Sequence, residues 1–326
     1  MNMTSILLRF GKLAATVRKS RYFLKEYLLY FFSRRSHIRI LFSDHKDWVK
    51  QISGSFRFTK TDLDFKEISE ARMSDYDLVV PLRVNDLAYL SDHPDAFPYN
   101  AIPFPSSESL DICNDKALFD KTLRQKGFAS YLPAIGRSLR TPYMLKKKSA
   151  EYGEFCFFIP NEAVEKAHEQ YLTDPDFFRQ QIIRGPVEYA THILFRNGSI
   201  AASLNIKYVF RKDIPIKGKD GYAYRTISDC PHLELFAQIL KSIGFEGLCC
   251  FNYKEENGKP YILEINPRFG GSLCMFFFSF IRKMDINTGD QDRESSKSSS
   301  GALLVRMPVS KKTSSAQMMP SSKSRH

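Results

Sequence analysis

The sequence predicts a mixed fold, α/β in its early part and α+β beyond, and three observations carry that reading. Residues 37–42 (His-Ile-Arg-Ile-Leu-Phe) and 76–82 (Tyr-Asp-Leu-Val-Val-Pro-Leu) are short apolar runs with room for a helix between them, the pattern of a βαβ unit on a parallel sheet. Two Asn-Gly pairs, Asn197-Gly198 and Asn257-Gly258, each join runs of strand character, which is the strongest short hairpin signal. At 326 residues, 43% apolar and 26% charged, the chain has the composition of a globular protein and more length than one core usually serves.

Taken in order, residues 5–32 read as a helix. Ile6, Phe10, Leu13, Val17, Leu24, Leu28 and Phe31 recur at spacings of three, four or seven, with Arg9, Lys12, Lys19 and Lys25 interleaved. Such a stripe either lies on a membrane surface or a partner protein, or packs on the body of the molecule. A strand over 37–42 follows, then a helix over 62–73 and a buried strand over 76–82. Asp44, His45, Asp47 and Trp48 fall in a loop that lines a pocket or simply faces water. Pro94, Pro98, Pro103 and Pro105 mark a loop before a helix over 107–126, which stops at Gly127. Residues 143–146 and 154–159 form a hairpin around a charged loop, and residues 161–171 a helix. Strands over 188–195 and 199–210, a helix over 232–243, and strands over 248–254 and 260–265 complete the ordered part. Residues 289–326 are rich in Ser and Lys without periodicity and read as a disordered tail, an abrupt change that fits an altered C-terminus.

Charge and cysteine content exclude several classes. The net charge of +12 divides into +7 in residues 1–37, +3 in residues 284–326 and +2 in everything between, so nucleic acid is not the expected partner. No C-x-x-C pair occurs among Cys113, Cys156, Cys230, Cys249, Cys250 and Cys274, which read as reduced thiols of a cytoplasmic protein rather than a zinc site. No apolar stretch is long enough to span a bilayer, no signal peptide is recognisable, and no G-x-G-x-x-G follows the first strand.

The segment richest in chemistry is Tyr261-Ile-Leu-Glu-Ile-Asn-Pro-Arg-Phe-Gly-Gly-Ser272. Strand alternation turns Glu264 and Asn266 to one face and sends Leu263 and Ile265 to the core. A carboxylate beside an amide oxygen is a hard-oxygen site suited to magnesium, and Asn252 on the partner strand faces it. The same alternation equally describes a hairpin whose polar face meets water. Arg268 adds a fixed cation for a phosphoryl oxygen, and Gly270-Gly271 lets backbone approach an anion.

The run Glu264-Ile-Asn-Pro-Arg-Phe-Gly-Gly-Ser272 resembles the metal-binding end of the ATP-grasp superfamily, and other pieces follow in order over roughly residues 37–275. The resemblance implies an ATP-grasp fold behind an N-terminal Rossmann-like pre-ATP-grasp domain. Its divisions fall at a basic amphipathic helix (1–36), the pre-ATP-grasp domain (37–110), a small subdomain (111–178), a large subdomain with the metal site (179–283) and the tail (284–326). It makes Glu264, Asn266 and Asn252 ligands of magnesium, with manganese as an alternative ion. Lys116 and Lys146 would then meet ATP phosphates, Gln181, Ile182 and Ile183 the adenine, and Glu188 the ribose. Arg268 and Lys207 would act on the transferred phosphate. Asn252 stands where an acid is common, and the loop after Lys146 has one glycine, Gly153, where several are common. The implied reaction is formation of an acyl phosphate from a carboxylate and transfer of the acyl group to an amine or similar nucleophile. Alternatives are phosphotransfer to a hydroxyl or phosphate acceptor, and nucleotide binding with reduced or lost activity. The expected partners are therefore small-molecule substrates, with a peripheral membrane or protein contact through residues 1–36.

Overall fold

The computed structural model describes residues 3–33, 37–93, 101–150, 153–284 and 286. All belong to the first of two units into which the chain divides, Met1–Thr288; the tail expected over 289–326, with Pro94 and Pro98, lies outside the described residues.

Helix α1 (Met3–Phe32) forms where the spacing predicts, but the stripe that packs is a different one. Phe10, Leu13, Val17, Leu24, Leu28 and Phe31 are exposed, whereas Ala15, Glu26 and Tyr30 are buried. The packed side is aromatic: Phe23 stacks on Phe276 at 5.3 Å and Tyr27 on Phe278 at 4.3 Å. Polar links reinforce it, Tyr22 to Ser279 at 2.7 Å and Arg282 to Glu26 at 3.1 Å. The reading in which the stripe through Phe10, Leu24 and Phe31 covers the body is thus corrected. Periodicity finds a helix's apolar stripes without saying which one its neighbours fit, and here complementary rings chose the aromatic one.

The first sheet is parallel, with β1 (Ile38–Ser43) between β2 (Thr61–Lys66) and β3 (Leu78–Val80). Its first crossover is helix α2 (Lys46–Ser55), not the helix expected over 62–73. Residues 61–65 (Thr-Asp-Leu-Asp-Phe) alternate polar and apolar as a strand requires. Trp48, Ile52 and Ser55, spaced by four and three, form the buried side of α2. Helix α3 (Val84–Asp92) follows β3. The single helix expected over 107–126 is two, α4 (Ser107–Asn114) and α5 (Lys116–Gln125), because the Asp115 carboxylate accepts the amide N–H groups of Ala117 and Leu118 and starts a new helix.

Two antiparallel sheets follow. The smaller places β4 (Tyr143–Lys147) between β5 (Cys156–Ile159) and β6 (Phe177–Gln180), with helices α6 (Glu162–Ala167) and α7 (Glu169–Leu172) between β5 and β6. The larger contains β7 (Val187–Arg196), β8 (Ser199–Phe210), β9 (Tyr222–Ser228), β10 (Gly247–Glu256) and β11 (Lys259–Asn266) in the order β11-β10-β7-β8-β9. Both Asn-Gly turns join adjacent strands, and all four of their residues have positive φ, as primed hairpin turns demand. Neither β6 nor β9 was anticipated.

Alternation gives the larger sheet two different faces. One packs Ile193, Phe251 and Ile265 under helix α8 (Leu233–Ser242), whose Phe236, Ile239 and Leu240 are fully buried. The other joins Leu204, Ile206 and Leu248 to the core of the parallel sheet and of helix α9 (Phe278–Ile281). That same face carries Glu188, Asn252, Lys254 and Glu264 toward a cavity.

Candidate active site

A cavity of ≈ 420 Å³ is lined by residues of both antiparallel sheets. It collects Lys116 from the first turn of α5, Lys146 from β4, and Glu188 from β7. Asn252, Glu264, Asn266 and Arg268 contribute from the β10–β11 hairpin and its exit, and Gln181, Ile182 and Ile183 from the link between β6 and β7. Among the residues predicted from sequence, Lys207 alone does not line it. Lys207 lies on β8 opposite Tyr189 and sits 5.9 Å from that ring, while its neighbour Tyr208 faces the cavity. Alternation along β8 decides this, and the expectation for Lys207 is corrected.

Glu264 is the centre of the polar network. Its Oε1 accepts from Asn252 Nδ2 at 2.7 Å and Asn266 Nδ2 at 3.1 Å, and Lys116 Nζ is 3.4 Å from Oε2. Burial acts to raise its pKa, but the charges of Lys116 and Lys146 and the two amide bonds outweigh it and hold the carboxyl at about 2. A register shift shapes this hairpin: Asn252 stands opposite Glu264, yet Tyr253 stands opposite Ile262. Leu263 is the extra residue of a bulge. It lines the cavity instead of entering the core as strict alternation predicts, and Ile262 and Ile265 are buried under α8.

The cation that sequence reasoning missed is Lys217, on the loop between β8 and β9. Its Nζ donates to Asn252 Oδ1 and lies 3.6 Å from Glu188. Burial opposes its charge, but Glu188 keeps its pKa above the usual lysine value. Glu188 is itself pushed up by burial, against the pull of Lys217. Lys254 reaches across to donate to the Gly185 carbonyl, and burial lowers its pKa. A signal was present in the sequence: residues 222–227 (Tyr-Ala-Tyr-Arg-Thr-Ile) have strand composition, and a strand there makes 211–221 a hairpin loop beside the site.

Close packing fixes the remaining walls. Residues 181–184 form no ladder, and Gln181 is tied to Ala134 by its backbone N–H at 2.7 Å and by its side-chain oxygen at 3.0 Å. Gly153 has φ +73, and a Cβ there would stand 2.6 Å from the Lys217 carbonyl oxygen, so only glycine lets these two loops meet. A Cβ on Gly270 would stand 2.5 Å from His192 Cε1. His192 is buried, bonds Ser272 Oγ at 2.7 Å, and burial drives its pKa down to about 3, so it is a neutral ring. Trp48, expected in a loop, is buried against Phe269 at 5.8 Å and ties α2 to the hairpin exit. The six cysteines are free; Cys250 lines the cavity with its thiol pushed up to about 11 by burial.

No protein-family model matches the chain, and no curated protein matches it in sequence. Solved structures do. D-alanine–D-alanine ligase from Bacillus anthracis complexed with ATP is 12% identical, with 80% of this chain and 100% of that chain covered at a TM-score of 0.50. Phosphoribosylamine–glycine ligase from Thermotoga maritima is 13% identical over 73% of this chain and 71% of its own, with a TM-score of 0.55. The chain has the ATP-grasp fold. L-amino acid ligase from Bacillus licheniformis agrees, at 14% identity, 74% and 70% coverage and a TM-score of 0.52.

Within this ATP-grasp fold, the donors around Glu264 fit a magnesium ion better than a metal cage. No three His, Cys, Asp or Glu side chains cluster among the described residues. One ionised carboxylate with an amide oxygen is the sparse hard-oxygen set that magnesium takes when phosphates complete its shell.

Proposed function

We propose that this chain is a ligase that uses ATP and magnesium to join a carboxylate to an amine or similar nucleophile. The observation that supports this most is the set of cations Lys116, Lys146, Lys217 and Arg268 around the ionised Glu264, in one cavity of an ATP-grasp fold. The neighbours named as ligases lend the reaction class.

In this reading the peptide groups of residues 181–183 take the adenine edge, Glu188 accepts the ribose hydroxyls, and Lys116 and Lys146 take phosphate oxygens. A carboxylate oxygen of the substrate bonds to the γ-phosphorus and ADP leaves. The amine nitrogen then bonds to the acyl carbon, loses a proton, and phosphate leaves. The chemistry asks for charge neutralisation rather than a protein nucleophile, and the cations gathered in the cavity supply it. Glu264 and Asn266 would hold magnesium, which offsets phosphate charge when bound. Asn252 would join them only on giving up its bond to Lys217. Arg268 would contact the acyl phosphate, and the Gly153 loop, packed on residue 217, would keep water from it.

Calorimetry with ATP, with and without magnesium, on the parent chain and on Lys146→Ala and Glu264→Ala tests this. Binding that needs magnesium and is lost in both variants is expected, followed by ADP release when carboxylates and amines are supplied together. Binding indifferent to magnesium and to Glu264→Ala would remove the metal assignment. A stable phosphorylated product in place of free phosphate would replace ligation by phosphotransfer.

A further inference from the structure

Helix α1 turns one apolar stripe away from the molecule. Phe10, Leu13, Val17, Leu24, Leu28 and Phe31 are 66%, 63%, 43%, 63%, 48% and 77% exposed. Their spacing of three, four and seven puts them on one side of the helix, opposite the Ala15, Glu26 and Tyr30 side that is buried. Isolated exposed apolar residues are ordinary, but a row spread over about six helical turns is not.

The charges beside the row are of one sign. Arg9, Arg21 and Lys25 are exposed, Arg18 instead donates inward to the Ile227 carbonyl at 3.2 Å, and the helix's one acid, Glu26, is buried and paired with Arg282. A segment distant in sequence repeats the chemistry: Phe58 is 70% exposed against Tyr27, with the Arg57 guanidinium over its ring. Among the described residues, no helix is long and apolar enough to cross a membrane. A second copy of this face is a poor occupant. Pairing two such helices would bring Arg21 and its neighbouring cations against the partner's cations, with no acid on the face to offset them.

We propose that α1 lies along an anionic lipid surface, with this apolar row among the acyl chains and the flanking Arg9, Arg21 and Lys25 side chains on lipid phosphates. The row supplies the apolar contact and the cations supply the preference for negative headgroups, the two contributions that hold a helix in the interface plane. The protein is thereby held at a membrane, whatever reaction its cavity performs.

The test is co-sedimentation of the full chain with phosphatidylcholine vesicles, with and without phosphatidylglycerol, at low and high salt. The parent should bind the anionic vesicles, bind neutral ones far less, and release as salt rises. Arg21→Gln with Lys25→Gln should weaken partitioning about 30-fold. Phe10→Ser, Leu24→Ser and Phe31→Ser together should abolish it. Because these side chains are exposed, the thermal midpoint of each variant should match the parent's, which separates lost binding from lost folding. A folded parent that ignores anionic vesicles overturns the proposal, as does undiminished binding by the triple variant. A dimer in sedimentation that the triple variant dissolves, without vesicle binding by the parent, would give the face to a second copy and also overturn it.

Discussion

The cavity and the outer side of α1 both gather positive charge, under opposite conditions. In the cavity, Lys116, Lys217 and Lys254 are sheltered and each has an oxygen partner: Glu264, Glu188 with Asn252, and the Gly185 carbonyl. Along the outer side of α1, Arg9, Arg21 and Lys25 stand in water, beside exposed apolar side chains and away from any acid on that side. A cation out of water is tolerated only with a partner, and once paired it is rigid and little screened. A cation in water needs no partner, costs little, and acts through its neighbours as a salt-sensitive surface. The same residue types therefore stand paired and sheltered in one region and solvated in the other.

The largest effect that sharpens this contrast should come from Lys217→Met. It removes the cation that Asn252 and Glu188 share, and magnesium-ATP affinity by calorimetry should fall by about 30-fold or more. Affinity within threefold of the parent's would mean that the cavity's charges do not act as a unit.

Next comes His192, whose folded pKa of about 3 lies below the ordinary value of 6.5. Between these values the unfolded chain binds the proton and the folded chain does not, so stability present above pH 6.5 is lost as pH falls toward 3. Denaturant titrations of the parent should lose on the order of 3 kcal/mol from this group between pH 6.5 and pH 4. His192→Gln should flatten that part of the profile. An identical slope in the variant would show that other groups govern acid stability.

The smallest effects are expected on the far face of the sheet. Lys207→Met, beyond the cavity wall, should leave magnesium-ATP affinity within about twofold, since an exposed or half-buried cation that faces away contributes little. A large loss there would reinstate the sequence-based expectation and break the contrast between Lys207 and Lys217.

Several features were legible before any coordinates. The two Asn-Gly hairpins, the helix over residues 5–32 and the Glu264–Asn266 pair depend on local backbone preference and on side-chain period, which a sequence carries directly. The strand at residues 61–66, in place of the helix expected over 62–73, is itself local, for residues 61–65 carry the alternation of a strand. The split at Asp115 was likewise local, an N-cap read as helix interior. Lys217 was of another kind. Its role comes from a loop folding over a sheet to meet Asn252 and Glu188, groups 35 and 29 residues away, and no local preference records such a meeting.

By itself, then, the sequence determined the hairpins, the acid–amide pair at residues 264 and 266, and the helix over residues 5–32 with its apolar stripe. Only the tertiary structure decided which stripe was buried, which way Leu263 turned, and which lysine of the pair Lys207 and Lys217 reached the site. Local propensity fixes an element's type, because it acts between residues a few positions apart. Orientation and partnership are fixed by burial and charge pairing between distant segments, and those forces exist only once the segments touch.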